Sequence, residues 1–510
     1  MSVNEENELD MISSLPDPLL GIIISFLPGT EAVRTCVLSK RWKFVWKIVS
    51  HLTLDQSKML NLFIQAYLHG TFLKTRLGMA YNHRWADINK DYEDLEEITK
   101  AEVLIDSVLD SHIGPLRSCY IKHLPESCVS GKVVTWIKKL LEENKVRNLS
   151  MERDQTVYLG SDTEKRLSRV LRYHGKTLHL SFKIFSTFEA LELKNYSLKT
   201  SPSRNVPGQV LRTLTFKNVC VKKNVLEGIL SCCLRLENLT LESVKYYGKL
   251  KIEFKINSPR LKFFRICKMA LHGFKVSAAN LEVFEIDTVV CKGKTIIFEI
   301  PKVHVLRSCS DSKAREHICW VGSTKFLHPW DGCHQSCQGS TSTFAGIFEN
   351  LVTLCINFNV KTVENTRDLF LALRSCSKLQ NLEINSEDDN RAVVDYYSDQ
   401  QDESDAREYY TRMKPCECIE HQLKILSIKG FAGKKFEVEF LKYIITTGEA
   451  MQKITIWFID DCSWVHATET GCLLSFRTAS PNLCSIFNPG PLYMANVAGD
   501  FKTWLSTLRE

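Results

Sequence analysis

A three-residue apolar pattern recurs along most of this chain. Each copy places large apolar residues at its first, fourth and sixth positions, as in Val146-x-x-Leu149-x-Met151. Further copies begin at residues 188, 211, 236, 261 and 281, so these starts lie 23, 25, 25 and 20 residues apart, and four more begin at residues 351, 379, 423 and 451. A regular period of this length predicts a stacked repeat architecture.

The spacing also predicts how each repeat is built. The fourth and sixth positions face the same way from a short strand, and the first lies at the turn into it. One repeat cannot bury that face alone, whereas stacked repeats form a parallel sheet with a continuous core. We expect the chain to return between strands through helices, as at residues 226–230 and 369–373. Cysteines ahead of the next motif, such as Cys233 and Cys376, are expected to be small buried packing residues.

The first 50 residues have a different pattern, with apolar residues around most of a predicted helix. One face is therefore expected to pack within this segment and another against a partner. The segment is about 30 residues long and is too small for a core of its own. Residues 15–28 and 30–46 predict three short helices, with the following signals: Asp17 as N-cap before Pro18, Pro28-Gly29 as the end of the first helix, Thr30 and Ser39 as the next N-caps, and Trp42 and Trp46 on the third helix.

These residues resemble the F-box of plant F-box proteins. The resemblance rests on Leu15-Pro16-Asp17-x-Leu19-Leu20, on Ile23-x-Ser25-Phe26-Leu27-Pro28, and on Val37-Leu38-Ser39-Lys40-Arg41-Trp42-x-x-x-Trp46. It implies docking to a Skp-family adaptor and, through it, to a cullin-based ubiquitin ligase. On the matching positions, the resemblance assigns the adaptor contact to Leu15, Pro16, Leu19, Leu20, Ile23, Leu38 and Trp42. The alternative is that these residues form the core of a helical cap on the repeats.

Residues 416–456 resemble the FBD-type C-terminal region of the same plant proteins. That region commonly has a strand, a Lys-Gly-Phe turn, which is Lys429-Gly430-Phe431 in this chain, a helix and a second strand. The fold class predicted from the whole sequence is α/β, with a short N-terminal helical F-box followed by a curved leucine-rich-repeat solenoid with a parallel sheet.

The predicted divisions follow from these patterns. They are a disordered N-terminus at 1–10, the F-box module at 11–50, a connecting region at 51–145, leucine-rich repeats at 146–415, FBD-like terminal repeats at 416–460, and an extension without an assigned role at 461–510. Polar insertions are expected at 302–343 and 386–414. Within the connecting region we expect helices at 59–73, 103–109 and 133–141, a solvated helix or loop at 86–102, and a strand at 116–121.

Composition narrows the class of protein. The chain has 510 residues, of which 44% are hydrophobic and 25% charged, as is typical of a folded globular protein. Its first ten residues are acidic and polar and no stretch is long enough to span a bilayer, so we expect neither a signal peptide nor a membrane partner. A cytoplasmic or nuclear location follows as an expectation, with the 19 cysteines reduced.

The net charge of +7 is spread along the chain. Nucleic-acid binding requires basic residues clustered on one surface, so no nucleic-acid partner is expected. The densest basic run, residues 40–43 with Lys47, lies in the predicted helical segment and is interpreted as a solvated helix face.

Two groups of residues have metal-binding side chains. The first is His317, Cys319, His328, Cys333, His334 and Cys337, and the second is Cys416-x-Cys418-x-x-His421. Structural zinc sites usually combine two close ligand pairs, and the first group offers only one, so we expect no metal. Phosphate-loop, nucleophile-elbow and His-Glu-x-x-His motifs are absent, and no cofactor is expected.

The sequence therefore predicts a non-catalytic interaction protein whose F-box binds the adaptor and whose repeats bind an unknown protein substrate. An alternative is a repeat scaffold that acts outside any ligase. The two differ in whether the face bearing Leu19 and Ile23 is exposed or buried. A third hypothesis, an enzyme or an RNA binder with a basic surface, predicts salt-sensitive nucleic-acid binding.

Overall fold

The computed structural model describes residues 11–12, 14–27, 29–59, 88–154, 187–199, 210–247, 253–291, 296–307, 348–358, 360, 363–386, 407–459 and 478–488. The chain forms two compact units, Met1–Leu250 and Lys251–Glu510. Several predictions fall outside the described residues: the disordered N-terminus, the helix at 59–73 beyond Met59, the six zinc candidates between 317 and 337, and most of the insertions and of the C-terminal extension.

The N-terminal segment of the first unit is helical, as predicted. Its helices are α1 (Asp17–Ser25), α2 (Gly29–Arg34) and α3 (Trp42–Val45), and single 3-10 turns follow at Thr35–Val37 and Trp46–Ile48. The predicted helix ends were wrong. Pro16 is the N-cap of α1, whose last residue is Ser25, and Arg41 is the N-cap of α3. Asp17 lies inside the helix and pairs with Arg41 instead of capping, since Pro16 has the extended backbone of an N-cap residue.

The rest of the first unit contains a parallel sheet. Its strand order is β1-β2-β3-β4-β6-β8, and three shorter strands form a second sheet, β5-β7-β9. The strands are β1 (His51–Asp55), β2 (Ser118–His123), β3 (Asn148–Arg153), β4 (Ala190–Lys194), β5 (Ser197–Leu198), β6 (Thr213–Lys217), β7 (Cys220–Val221), β8 (Asn238–Glu242) and β9 (Lys245–Tyr246).

Helices return the chain between these strands. They are α4 (Gln56–Met59), α5 (Ile88–Ser111), α6 (Pro125–Val129), α7 (Lys132–Glu142) and α8 (Lys223–Cys232). The structure confirms the helices predicted at 133–141 and 226–230. The described part of the segment predicted at 86–102 and the segment predicted at 103–109 form one continuous helix, α5.

Two strands of this sheet come from the predicted connecting region. Leu52 and Leu54 of β1, and Cys119 and Ile121 of β2, point into the core with the same spacing as the repeat motifs. The residue three positions ahead is also buried in both cases: Val49 and Leu116. The sheet therefore begins directly after the F-box segment.

The second unit contains a parallel sheet of strand order β11-β13-β15-β16-β17-β18-β19-β20 and a three-stranded sheet, β10-β12-β14. The strands are β10 (Glu253–Asn257), β11 (Phe263–Leu271), β12 (Gly273–Ser277), β13 (Val283–Cys291), β14 (Ile296–Glu299), β15 (Val305–Arg307), β16 (Thr353–Asn357), β17 (Asn381–Asn385), β18 (Ile425–Phe431), β19 (Lys453–Phe458) and β20 (Cys484–Asn488). Its helices are α9 (Val363–Arg374), which was predicted at 369–373, and α10 (Lys435–Thr447), with a π-helical turn at Cys418–Gln422.

The returns between β11, β13 and β15 differ from the prediction because they are strands instead of helices. Each of these repeats places a second strand on the far side of the core, where Phe254, Phe274 and Phe298 are buried. The rings of Phe274 and Phe298 meet edge to face at 5.1 Å between centroids, which fills the space that a helix occupies elsewhere.

The repeat core confirms the apolar pattern. In all ten motifs the first, fourth and sixth residues are at most 4% exposed. Register places them in columns, such as Leu149, Leu191, Leu214 and Leu239 across β3, β4, β6 and β8. Cys233 and Cys376 are buried beside these columns, and burial raises the pKa of each thiol to about 12, which suits a packing role.

The Lys429-Gly430-Phe431 turn interrupts β18 with a bulge. Gly430 has a φ of +74°, and a Cβ there would lie 2.0 Å from the carbonyl oxygen of Ser386. Only glycine fits, because any side chain would overlap a backbone atom of the neighbouring segment.

Candidate functional site

Helix α1 is apolar on two faces, and only one of them is used within the first unit. Leu20 and Ile24, one turn apart, are buried, and α1 contacts α3, the Trp46–Ile48 turn and β1. Val45, Trp46 and Val49 complete this interior. The F-box helices therefore share a core with the start of the repeat sheet, as expected for a segment too short to fold alone.

The other face of α1 is exposed. Leu19, Ile22 and Ile23 each expose about half of their surface, and Phe26 exposes 84%. Leu27, at 38%, follows Phe26, and further along the chain Val37, at 82%, Leu38, at 64%, and Phe44 are exposed. Large exposed apolar side chains concentrated in one short segment of the chain are typical of an interaction site. We call Leu19, Ile22, Ile23, Phe26, Val37 and Leu38 the exposed apolar set.

The seven residues that the resemblance assigns to the adaptor contact fall into three groups. Leu19, Ile23 and Leu38 belong to the exposed apolar set, and Pro16 is also exposed. Leu15 and Trp42 are half-buried. Leu20 differs from the prediction, because its side chain is fully buried against the module's interior and offers no surface to a partner.

Sequence reasoning did not assign Ile22, Phe26 and Val37 to the contact, although they are as exposed as the assigned residues or more so. The surplus of apolar positions around α1 was the available signal. It could not separate the inner from the outer face, since adjacent residues such as Leu19 and Leu20 lie only about 100° apart around a helix.

Arg41 fixes the start of α1 relative to α3. Its Nε donates to Asp17 Oδ1 at 2.6 Å, and its Nη2 donates to the carbonyl oxygen of Leu15. Both side chains of the ion pair are more than a third exposed, so the pair adds little stability. Its effect is geometric, because it holds Leu15 and Leu19 near the segment that carries Leu38.

Close backbone contacts join the same helices to the repeat sheet. A Cβ on Gly29, the first residue of α2, would lie 2.3 Å from the carbonyl oxygen of Thr53 in β1. At the end of α5, the buried His112 hydrogen-bonds through Nε2 to the carbonyl oxygen of Val49 at 2.8 Å, and Ile113 N donates to Lys47 O at 2.9 Å. Burial lowers the pKa of His112 and so favours its neutral form.

The second candidate metal group does not converge on a point. Cys416 and Cys418 are buried, whereas His421 is exposed and contacts Glu449 at 3.2 Å. Among the described residues, no three His, Cys, Asp or Glu side chains lie close enough together to hold a metal ion. Within the same residues, no helix has both the length and the apolar character needed to cross a membrane.

Comparison with known families places three domains on this chain. Residues 12–53 match the F-box domain, residues 166–326 match the leucine-rich repeats of FBD-associated F-box protein At5g56370, and residues 413–456 match the FBD region. The first match covers the helices that carry the exposed apolar set, and it continues into β1.

Similar proteins come from Arabidopsis thaliana. F-box protein At1g80960 is 28% identical over 60% of this chain and 55% of its own length, so the chain spans about half of that relative. Putative F-box/LRR-repeat protein At5g54820 is 23% identical over 88% of this chain and 91% of its own length. The N-terminal helices, the repeat strands and these matches agree: the chain is similar to Arabidopsis F-box/leucine-rich-repeat proteins, and it has segments that match the F-box, the leucine-rich repeats and the FBD region.

Proposed function

We propose that this chain is the substrate-recognition subunit of a Skp-cullin-F-box ubiquitin ligase. Its exposed apolar set docks a Skp-family adaptor, which links it to a cullin, and its repeats bind a protein substrate. The chain makes and breaks no bond itself. It acts by proximity, because a substrate held beside the ligase is present at a high effective concentration.

The exposed apolar set is the observation that supports this proposal. Burying one large aliphatic or aromatic side chain contributes about 1.5 to 3 kcal/mol, so six such residues can supply the apolar centre of a stable protein interface. Pro16 extends this surface and Arg41 orders it. Leu20 contributes indirectly, because its buried side chain packs α1 against the interior of the first unit.

The alternative, a repeat scaffold that works outside a ligase, requires the F-box helices to act only as a cap. A cap buries its apolar residues against the repeats, as Leu20 and Ile24 do. Leu19, Ile23 and Phe26 are instead directed away from that core, which favours adaptor docking over capping alone.

The test measures binding of the full-length chain to a purified Skp-family adaptor. Leu19→Ala and Ile23→Ala are each expected to weaken binding about tenfold or more, as truncation of a central interface residue does. Leu104→Ala is the matched control, since Leu104 on α5 is also half exposed but lies outside the F-box.

Equal adaptor affinity of wild type, Leu19→Ala and Ile23→Ala would overturn the proposed contact. Thermal unfolding of each variant shows whether it is folded. Leu20→Ala is expected to lower the midpoint of unfolding, because truncation of a buried leucine costs about 2 to 5 kcal/mol, whereas Leu19→Ala is expected to leave the midpoint nearly unchanged.

A further inference from the structure

Two strands of the repeat sheets, β1 in the first unit and β20 in the second, pair with a neighbour on one side only. The F-box helices cover β1, since a Cβ on Gly29 of α2 would lie 3.1 Å from Leu54 Cδ2. Leu52 and Leu54, the inward residues of β1, are at most 3% exposed. The first-unit sheet is therefore closed at β1.

The inward residues of β20 are less well covered. Register places Ser485 beside Ile454 of β19, and it places Phe487 beside Ile456. Ile454 and Ile456 are each 1% exposed, whereas Ser485 and Phe487 are only half-buried. The apolar columns of the second unit therefore end at a phenylalanine ring that is partly exposed.

The outer edge of β20 carries backbone groups without partners. Cys484 N donates to Gln452 O at 2.9 Å, so the backbone of Cys484 faces β19. Successive residues of a strand turn their N–H and C=O groups to opposite sides, so those of Ser485 and Phe487 face outward. Within the described residues, these two N–H and two C=O groups make no hydrogen bond.

The residues of β20 do not shield this edge. Edge strands are usually protected by charged side chains, proline or a bulge, and Cys484–Asn488 contains none of these. On its solvent face, Ile486 is 37% exposed, and Trp457 on the same face of β19 is 45% exposed. An unshielded edge with apolar side chains on both faces is suited to accept a further strand.

The spacing of the free groups specifies an extended occupant. Ser485 and Phe487 are two residues apart, so their free groups recur at about 6.6 Å, which is the two-residue repeat of any extended chain. A helical segment has its backbone groups bonded internally and cannot meet them. The same geometry turns alternate side chains of the occupant to the two faces of the sheet.

We propose that the outer edge of β20 binds an extended, uncharged segment of the substrate by strand addition. This inference rests on the proposed function and names the class of segment that the second unit recognises. The backbone of the segment bonds to Ser485 and Phe487, and a large apolar side chain on its inward face covers the ring of Phe487. A charged residue there would lose its hydration against apolar groups. The edge lies beyond residues 413–456, which match the FBD region.

A second copy of this chain fits the edge less well. Two β20 strands that pair about a twofold axis at Ile486 would use all the free backbone groups. Each Phe487 would then lie opposite Ser485 of the other copy, and the small serine side chain would leave the ring half exposed. A different protein with a large apolar residue at that position is therefore favoured.

The experiment measures binding of a capped hexapeptide of alternating threonine and valine to the full-length chain, with and without the adaptor. Two further peptides are N-methylated, one on all its valine amides and the other on all its threonine amides. Only alternate amides of an added strand face β20. One methylated peptide should therefore bind like the parent, and the other should bind at least about tenfold more weakly, because its donors to the edge are lost.

Ser485→Pro removes an outward N–H group and keeps the bonds that face β19, and proline is tolerated on edge strands for this reason. It is expected to weaken binding of the parent peptide at least about tenfold. Ser485→Ala is the matched control, since it keeps the N–H group, and it is expected to bind like wild type. Thermal unfolding shows whether each variant is folded, and if Ser485→Pro is not, the two methylated peptides decide.

Several results would overturn the inference. Equal binding of the two methylated peptides, or equal affinity of folded Ser485→Pro and Ser485→Ala, would exclude pairing with the edge. A dimer that Ser485→Pro abolishes, without peptide binding, would identify a second copy as the occupant. If no peptide binds while the adaptor does, the inference fails and the proposed function stands. Peptide binding without adaptor binding would support strand addition and overturn the proposed function.

Discussion

The carboxyl group of Glu126 is buried, which makes its ionisation unfavourable. It lies in the first turn of α6, where its Oε2 atom is buried and has no hydrogen-bond partner within the described residues. Burial raises its pKa from 4.5 to about 7, while Arg153 opposes this change and Glu102 and Asp154 reinforce it. The folded state therefore holds a proton on Glu126 that the unfolded chain releases above pH 4.5.

The pH dependence follows from this raised pKa. Protonated Glu126 stabilises the fold fully below pH 4.5, and this stabilisation is lost as the pH rises through 7. Glu126→Gln, which is always uncharged, is expected to be more stable than wild type at pH 8 by about 1 to 2 kcal/mol, less than the full shift implies because the side chain keeps some contact with solvent. The two proteins should be equally stable at pH 4.5.

Midpoints of thermal unfolding between pH 4.5 and 8 provide the measurement. His123, whose pKa burial lowers to about 4, adds an opposite pH dependence below 6.5, but it does so in both proteins and cancels in the comparison. The exposed Glu142→Gln on α7 should not change the pH profile. If the midpoints of Glu126→Gln and wild type differ by the same amount at every pH in this range, then the pKa of Glu126 is not raised by folding. This burial could not be predicted from the sequence, because an acid after Pro125 is typical of a solvated first helical turn.

At the scale of elements, Gly29 determines how closely helix α2 approaches β1. Gly29→Ala would place a methyl group 2.3 Å from the carbonyl oxygen of Thr53, so the helix or the strand must move. Overpacking of this kind costs about 1 to 3 kcal/mol. We therefore expect a lower midpoint of thermal unfolding and weaker adaptor binding, because α2 connects the two parts of the exposed apolar set.

Gly21→Ala is the matched control for this prediction. A Cβ on Gly21 in α1 would meet the Ile48 carbonyl oxygen at 3.8 Å, an ordinary contact, and alanine favours the helix by about 1 kcal/mol over glycine. This variant is expected to bind the adaptor as tightly as wild type. If Gly29→Ala unfolds at the same temperature as Gly21→Ala, then the contact between α2 and β1 is not as close as described.

The elements that the sequence predicted are those whose apolar period is long and regular. The ten repeat strands and helices α7, α8 and α9 follow from periodicity alone, because their buried faces are set by spacing. The helix starts were missed because several residues could cap, and only the tertiary pairing of Asp17 with Arg41 decides among them. The strands β10, β12 and β14 were missed because phenylalanines fill their layer and no local signal excludes a helix there.

At the scale of the whole molecule, the repeat pattern separates apolar residues of the core from polar residues of the solvated sheet face. Inward positions are almost uniformly apolar, while the outward positions of the first-unit sheet are polar, so the sheet face there is well solvated. The exposed apolar set departs from this separation of apolar and polar positions. It could not be located from composition, because the 44% hydrophobic content is ordinary for a folded chain and does not reveal where the surplus lies.

An exposed apolar set that lacks its partner should make the purified chain self-associate. The expected result is a molar mass that rises with protein concentration in analytical ultracentrifugation and returns to a single 1:1 complex when a Skp-family adaptor is added. Phe26→Ser combined with Val37→Ser should abolish the concentration dependence, because these residues are 84% and 82% exposed and lose no internal packing on substitution. Leu104→Ser with Ile113→Ser changes two other exposed apolar residues and should leave self-association intact. If both double variants reduce self-association equally, self-association results from exposed apolar residues in general. The prediction that the exposed apolar set causes it would then be wrong.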